Sequence, residues 1–237
     1  MQTTKIGFLP LYLKLYDELF PEMRETMEKF SSDIQSELLS KGIEVIPAPI
    51  CRTEEEFKEA GKIFTDCSAV VCLHLAYSPS LESIDTLVSL NKPLIMLDTT
   101  MNSSFGKDAT VDDLMNNHGI HGVQDLCSLL KRKGVQYFVE AGHWQESDVI
   151  ERVANLCKAA NAANSMKSGK VGLIGKSFHG MGDFAITPED LERWIGTKVE
   201  PFKTGQILEL LNSLTEEEIK KEIEHDLSAF DLGKYDE

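Results

Sequence analysis

The stretch HGIHGVQD, residues 118–125, places two imidazoles three residues apart, each followed by a glycine, with Asp125 close behind. An imidazole can bind a metal, move a proton or hydrogen-bond a hydroxyl, so this pair is the first candidate for chemistry. A zinc site requires three or four ligands at turn or helix spacing, and no second Cys/His pair stands near. That makes metal binding the weakest of three readings, and the other two are these. His121 contacts a ligand, or His118 is a loop residue and His121 a capping or hydrogen-bonding one, with Gly119 and Gly122 permitting tight backbone turns. A second motif, GMGDFA at 180–185, fits the loose G-x-G-x-x-A pattern, and Glu200 follows at the distance of a dinucleotide fingerprint. In that fingerprint the first glycine follows a strand directly, whereas KSFH intervenes here. No phosphate-cradling G-x-x-x-x-G-K-[ST] loop is present, and no Ser or Cys occupies a nucleophile elbow with a plausible base.

The other chemistry-bearing residues stand just after apolar runs, where an open parallel sheet binds its ligands. Leu11, Tyr12 and Leu13 follow GFLP. Tyr77, Ser78 and Pro79 follow VVCLHLA. Thr99, Thr100, Met101 and Asn102 follow LIMLD, and Gly142, His143 and Trp144 follow QYFVEA. Lys176, Ser177, Phe178, His179, Gly180, Met181 and Gly182 follow VGLIG. Such a rim suits a polyhydroxy ligand: amides and hydroxyls pair with sugar OH groups, and aromatic rings pack on the C–H face.

The elements that must position this rim alternate along the chain. KIGFLP reads as a strand. Leu15, Leu19, Met23, Met27, Phe30, Ile34 and Leu38 then step along one helix face, with Pro21 opening the regular part and Gly42 closing it. IEVIPAPI is a strand. TEEEFKEAGKIF is a helix with Thr53 and Glu56 as a capping box. SAVVCLHL is apolar on both faces, the mark of a parallel sheet covered by helices on both sides. SLESIDTLVSLN, KPLIMLD, VQDLCSLLKRKG, VQYFVEAG and ESDVIERVANLCKAANAANSM continue as helix, strand, helix, strand and helix. The alternation predicts an α/β fold, a doubly wound, flavodoxin-like parallel sheet with right-handed crossovers.

KSGK, at 167–170, reads as a linker, giving domains 1–167 and 168–237. The second has roughly 70 residues, short for a complete α/β domain. It offers the strand KVGLIG, a helix at 188–195, a short strand around Val199 and two further helices.

The bulk balance narrows the partners. With 39 acidic against 24 basic residues the net charge is −15, which repels phosphate backbones and argues against nucleic acid. MQTTKIGFLP lacks the basic flank and long apolar core of a secretory signal, and no run is long enough to span a membrane. Cys51, Cys67, Cys72, Cys127 and Cys157 form no C-x-x-C pair and fall mostly in apolar runs, as expected of reduced, buried thiols in a cytoplasmic protein.

Several blocks together resemble one family. CLHLAYSPSLESIDTLVSLNKPLIMLDTTMN (72–102) is similar to a stretch of L-arabinose isomerases: an aromatic-Ser-Pro turn, a helix, an LNKPLL-like run, then a strand ending near Thr and Asn. GIHGVQDLCSLLKRKGVQYFVEAGHWQESDVIERVANLCKAA (119–160) resembles a segment shared by L-arabinose and L-fucose isomerase-like proteins, GHWQ before an acidic helix start being its most specific piece. GKVGLIGKSFHGMGDF resembles the start of their second domain. The resemblance runs along nearly the whole chain in order and spacing.

The resemblance implies a metal-dependent enzyme that interconverts aldoses and ketoses through a cis-enediol, with a glutamate pair moving the protons and Mn²⁺ polarising O1 and O2 of the open-chain sugar. In the family those glutamates and the metal-binding histidines lie in the C-terminal half, beyond this sequence. The expectation is therefore an N-terminal portion that binds no metal, has no catalytic residue and is inactive alone. The alternative is a freestanding, non-catalytic sugar-binding or regulatory module of the same fold. By resemblance, His121 matches a substrate-contacting histidine, Tyr77 an aromatic over the sugar, and Met181 a methionine in the second domain's first loop. His118 falls where arabinose isomerases carry a glutamine, and Leu11 to Leu13 lack the family's Gln-His-Leu pattern. His143 and Trp144 stay structural. The family's homo-oligomer, a hexamer, has the first domain complete a neighbour's active site.

Overall fold

The structure, a computed structural model, describes residues 3–175 and 179–231. These fall into two compact units, Met1–Asn164 and Ser165–Glu237.

The first unit is a five-stranded parallel sheet. Its strands are β1 (Thr4–Leu11), β2 (Ile43–Pro47), β3 (Val70–His74), β4 (Leu94–Asp98) and β5 (Tyr137–Ala141), in the order β2-β1-β3-β4-β5. All four pairings are parallel. The order reverses between β1 and β3, so a crevice opens there at the strands' carboxyl ends. Every residue of β3 is buried, because helices cover both faces of a central parallel strand.

One face carries α2 (Met23–Ser40) and α7 (Val149–Ser168), which pack Met27, Phe30, Ile34, Leu38, Val153 and Cys157 against Ile6, Phe8, Val71 and Ile95. The other face carries α3 (Glu54–Ile63), α4 (Ser80–Leu90) and α6 (Gly119–Arg132), which pack Phe57, Ile84, Leu87, Leu126 and Leu130 against Leu9, Cys72 and Met96. Each such fully buried aliphatic or aromatic side chain contributes about 1.5–3 kcal/mol by leaving water. The capping box of α3 forms as expected: the Thr53 side chain accepts from the Glu56 amide, and the Glu56 carboxylate reaches back to the Thr53 amide.

Two local expectations change. The stripe from Leu15 to Leu38 is not one helix. A short α1 (Lys14–Leu19) ends before Pro21, α2 begins at Met23, and Leu15 and Leu19 lie exposed while Met23 to Leu38 are buried. Pro21 has no N–H to continue α1, and the chain turns there. Second, α6 begins at Gly119 rather than at Val123, so His121 lies inside its first turn and His118 is its N-cap residue. A further helix, α5 (Val111–Asn116), precedes it.

In the second unit β6 (Lys170–Ile174) pairs in parallel with β7 (Lys198–Phe202), with α8 (Pro188–Ile195) between them and α9 (Thr204–Ser213) and α10 (Glu216–Ala229) after. Residues of KSGK belong to α7 and β6, with Gly169 between. GMGDFA does not open a helix. Gly182–Phe184 form a single 3₁₀ turn, so the stretch lacks the helix N-terminus that would receive a pyrophosphate.

Candidate functional site

The site is assembled where β1 and β3 end. β1 runs into Tyr12, whose amide is fixed by the Cys51 carbonyl at 3.0 Å, and then into α1 with Tyr16. β3 ends at His74 and turns through Tyr77 and Ser78 into α4. The N-terminus of α6 closes over that turn. A Cβ on Gly122 would lie 2.5 Å from His74 Nδ1 and 2.7 Å from Ser78 Oγ, and one on Gly119 would overlap the His74 carbonyl oxygen. Both glycines therefore serve close packing, and neither has positive φ.

His118 is held from both sides. Its Nδ1 lies 2.8 Å from the Met115 carbonyl and its Nε2 2.9 Å from the Tyr16 hydroxyl. A carbonyl only accepts, so Nδ1 carries the proton, and in the neutral ring Nε2 accepts from Tyr16. The His121 ring centroid lies 5.8 Å from that of His118, and His121 is exposed. Tyr77 is half-buried. Burial raises the pKa of Tyr16, and the neighbouring Tyr77 phenol raises it further. Tyr16, Tyr77, His118 and His121 thus form one group of phenols and imidazoles at the carboxyl edge. Met181 belongs to the second unit, exposed just before the 3₁₀ turn.

Charged residues hold the α1 segment beneath this group. Arg52 bonds Asp17 of α1 and reaches Glu56 of α3, with Nε at 3.2 Å and the backbone amide at 2.6 Å from Oε2. Burial alone would raise the Glu56 pKa, but its bonds from Arg52 prevail and hold it below the ordinary carboxylate value.

Several rim residues are occupied elsewhere. Tyr12 is fully buried, its pKa pushed up to about 12 by burial and then by Asp17. The Asn102 amide donates to Asn117 at 2.9 Å and its side chain to Asp113 at 3.0 Å, which fixes the loop before α5. His143 Nε2 lies 3.1 Å from the Met101 carbonyl, its Nδ1 accepts from the amides of Gln145 and Glu146, and Trp144 packs edge-on against Phe30. Lys176, Ser177 and Phe178 lie outside the described residues.

Sequence reasoning passed over two residues. Tyr16 was hidden in the amphipathic stretch that leads up to Pro21. His74 was hidden in an apolar strand. It is buried, its Nδ1 lies 2.7 Å from Ser78 Oγ, and burial lowers its pKa to about 3. Aromatic residues one and five positions beyond a strand's final Pro-Leu were the available signal for the first.

Both His118 nitrogens are engaged, by the Met115 carbonyl and the Tyr16 hydroxyl. Among the described residues no cluster of three or more His, Cys, Asp or Glu side chains stands in position to hold an ion. What the arrangement offers is directional hydrogen bonding beside aromatic faces, suited to hydroxyls on a carbon chain.

The strand order, with its reversal between β1 and β3, defines a doubly wound, flavodoxin-like α/β protein. A family model described as L-arabinose isomerase N-terminal domain matches residues 13–168. The chain belongs to that family. It is 27% identical over 218 residues to an L-arabinose isomerase of Shouchella clausii, a match covering 90% of this chain and 43% of that protein. It is 26% identical over 228 residues to one from Geobacillus thermodenitrificans, covering 92% and 45%. Over 160 residues it is 29% identical to one from Halalkalibacterium halodurans, covering 66% and 32%. The chain therefore spans less than half the length of the curated relatives it matches.

Proposed function

We propose that the chain is the N-terminal, sugar-contacting portion of an aldose–ketose isomerase that acts on L-arabinose or a close analogue. The observation that supports this reading is the run of neighbours Tyr77, Tyr16, His118 and His121, within the span matched by the family model. His121 and Tyr77 contact the sugar, His118 bears on it through the Tyr16 hydroxyl held at its Nε2, and Met181, in the second domain, 168–237, is a separate candidate contact. The chain's residues bind and orient. The proton transfers of the enediol reaction, and the Mn²⁺ that the full-length enzyme uses, belong to residues outside this set, since the described side chains do not fit an ion. In this reading the enzyme works in the cytoplasm as a homo-oligomer, and this domain's edge completes a neighbour's active site. Among the described residues no helix is long and apolar enough to cross a membrane.

The test is an NMR titration of the purified chain with L-arabinose. Saturable shifts centred on Tyr77, His118, His121 and their immediate neighbours, with no ketose formed on adding Mn²⁺, support the proposal. Appreciable ketose formation by this chain alone, or shifts only elsewhere, defeats it. Reading the coding DNA beyond Glu237 separates the rival. A continuation with two glutamates and metal-binding histidines supports the isomerase; a stop codon with sugar binding retained supports a freestanding sugar-binding module.

A further inference from the structure

We propose that Tyr16 is a further ligand-contacting residue of this site, its hydroxyl oxygen accepting a hydrogen bond from a hydroxyl of a linear or open-chain polyhydroxy ligand. The inference rests on the function proposed above and deepens it.

The argument begins at Met115. Its carbonyl receives His118 Nδ1–H at 2.8 Å, which leaves Nε2 of the neutral ring as an acceptor. Among the described residues the partner of that lone pair is the Tyr16 hydroxyl, 2.9 Å away and 102 residues distant in sequence. The phenol proton is thereby committed to His118. What Tyr16 has left is lone-pair capacity on its oxygen, and that capacity is directional because the ring is fixed. Tyr12 meets the ring edge-on at 5.7 Å, Phe20 at 6.1 Å, and the His118 ring lies at 5.9 Å. One residue on, Asp17 is tied to Arg24 at 3.5 Å and to Arg52, which anchors the short helix in place.

Tyr16 is only half-buried and stands beside Tyr77. A hydroxyl on a sugar chain both donates and accepts. It can donate to the Tyr16 oxygen while its carbon packs on the Tyr77 ring. A ligand with an ether or a hydrogen in place of that hydroxyl leaves the fixed acceptor unmet, which is a strong basis for rejection. Tyr16 and His118 thus act as one selecting unit, with the tautomer set at Met115 deciding its polarity.

The experiment uses the full chain, L-arabinitol as the probe, and three proteins: wild type, Tyr16→Phe and His121→Ala. Phenylalanine keeps the ring contacts and removes only the oxygen. We expect Tyr16→Phe to retain its circular dichroism spectrum, to move the His118 Nε2 ¹⁵N resonance, and to bind L-arabinitol roughly three- to tenfold more weakly. In wild-type protein labelled with [¹³Cζ]tyrosine, the Tyr16 resonance should shift on saturation, a readout that holds even if the variant folds poorly. Wild-type affinity in Tyr16→Phe, with weakened binding in His121→Ala, overturns this inference and leaves the proposed function standing. An unmoved Nε2 resonance or an unmoved Tyr16 Cζ resonance also overturns it. Absence of L-arabinitol binding to the wild-type chain, or undiminished binding in His121→Ala, removes the proposed function and this inference with it.

Discussion

Gly119 of α6 packs directly on the carbonyl oxygen of His74 at the end of β3, leaving no room for a side chain between helix and strand. Gly122, one turn further on, does the same against the His74 ring and Ser78. The two glycines of the opening motif bring the helix N-terminus close to the strand end, so that its two histidines overlook the crevice.

That contact predicts the outcome of Gly119→Ala. Helix propensity alone would favour alanine by about 1 kcal/mol. The clash is with backbone, which cannot rotate away, and overpacking of this kind costs about 1–3 kcal/mol. The clash should prevail, so urea unfolding should show a net loss of up to about 2 kcal/mol. A variant as stable as wild type would mean the helix stands further from β3 than described.

His74 should leave a signature in the pH dependence of stability. Burial lowers its pKa from 6.5 to about 3, so the folded protein refuses a proton that the unfolded chain accepts. Stability from the neutral ring is complete above 6.5 and declines as pH falls towards 3. Between those limits wild type should lose up to about 1.4 kcal/mol per pH unit relative to His74→Gln. Denaturant melts of both proteins from pH 7 to 4 measure the difference. Parallel curves would show that His74 titrates normally in the fold.

Arg52 links α1 to α3 through Asp17 and Glu56. Arg52→Ala should destabilise the protein by about 1 kcal/mol, since the pairs are partly exposed. It should also displace the His118 Nε2 resonance, because Tyr16 sits on the helix that Arg52 anchors. A stability loss with an unmoved His118 signal would limit Arg52 to holding α3.

All five cysteines are buried, and burial raises the pKa of the Cys51 thiol to about 12 and of Cys127 to about 11. Thiolate is the reacting form. A disulfide reagent such as DTNB at pH 8 should therefore label no cysteine quickly in the native chain and all five after denaturation. Rapid native labelling of one thiol would identify a locally open segment.

Much of the fold was legible because it is written in short range. The apolar run at 70–74 specified a strand buried on both faces, and the Thr53–Glu56 pair specified a helix start. The boundary errors have physical causes. Pro21 splits a continuous apolar stripe by removing a donor, which periodicity does not register. The α6 start at Gly119 went unread because glycine disfavours helix in isolation, and only contact with His74 repays it.

The amino-acid order by itself determined the alternation of strands and helices, their caps and the candidate histidines, because periodicity and capping act within a few residues. It also carried the family resemblance. Only the tertiary structure decided which side chains meet. Tyr16 reaches His118 across 102 residues, and His74 becomes a buried neutral imidazole beneath α6. Those relationships arise from the crossovers that bring β1, β3 and α6 to one edge, and no local pattern encodes the distance between residues so far apart along the chain.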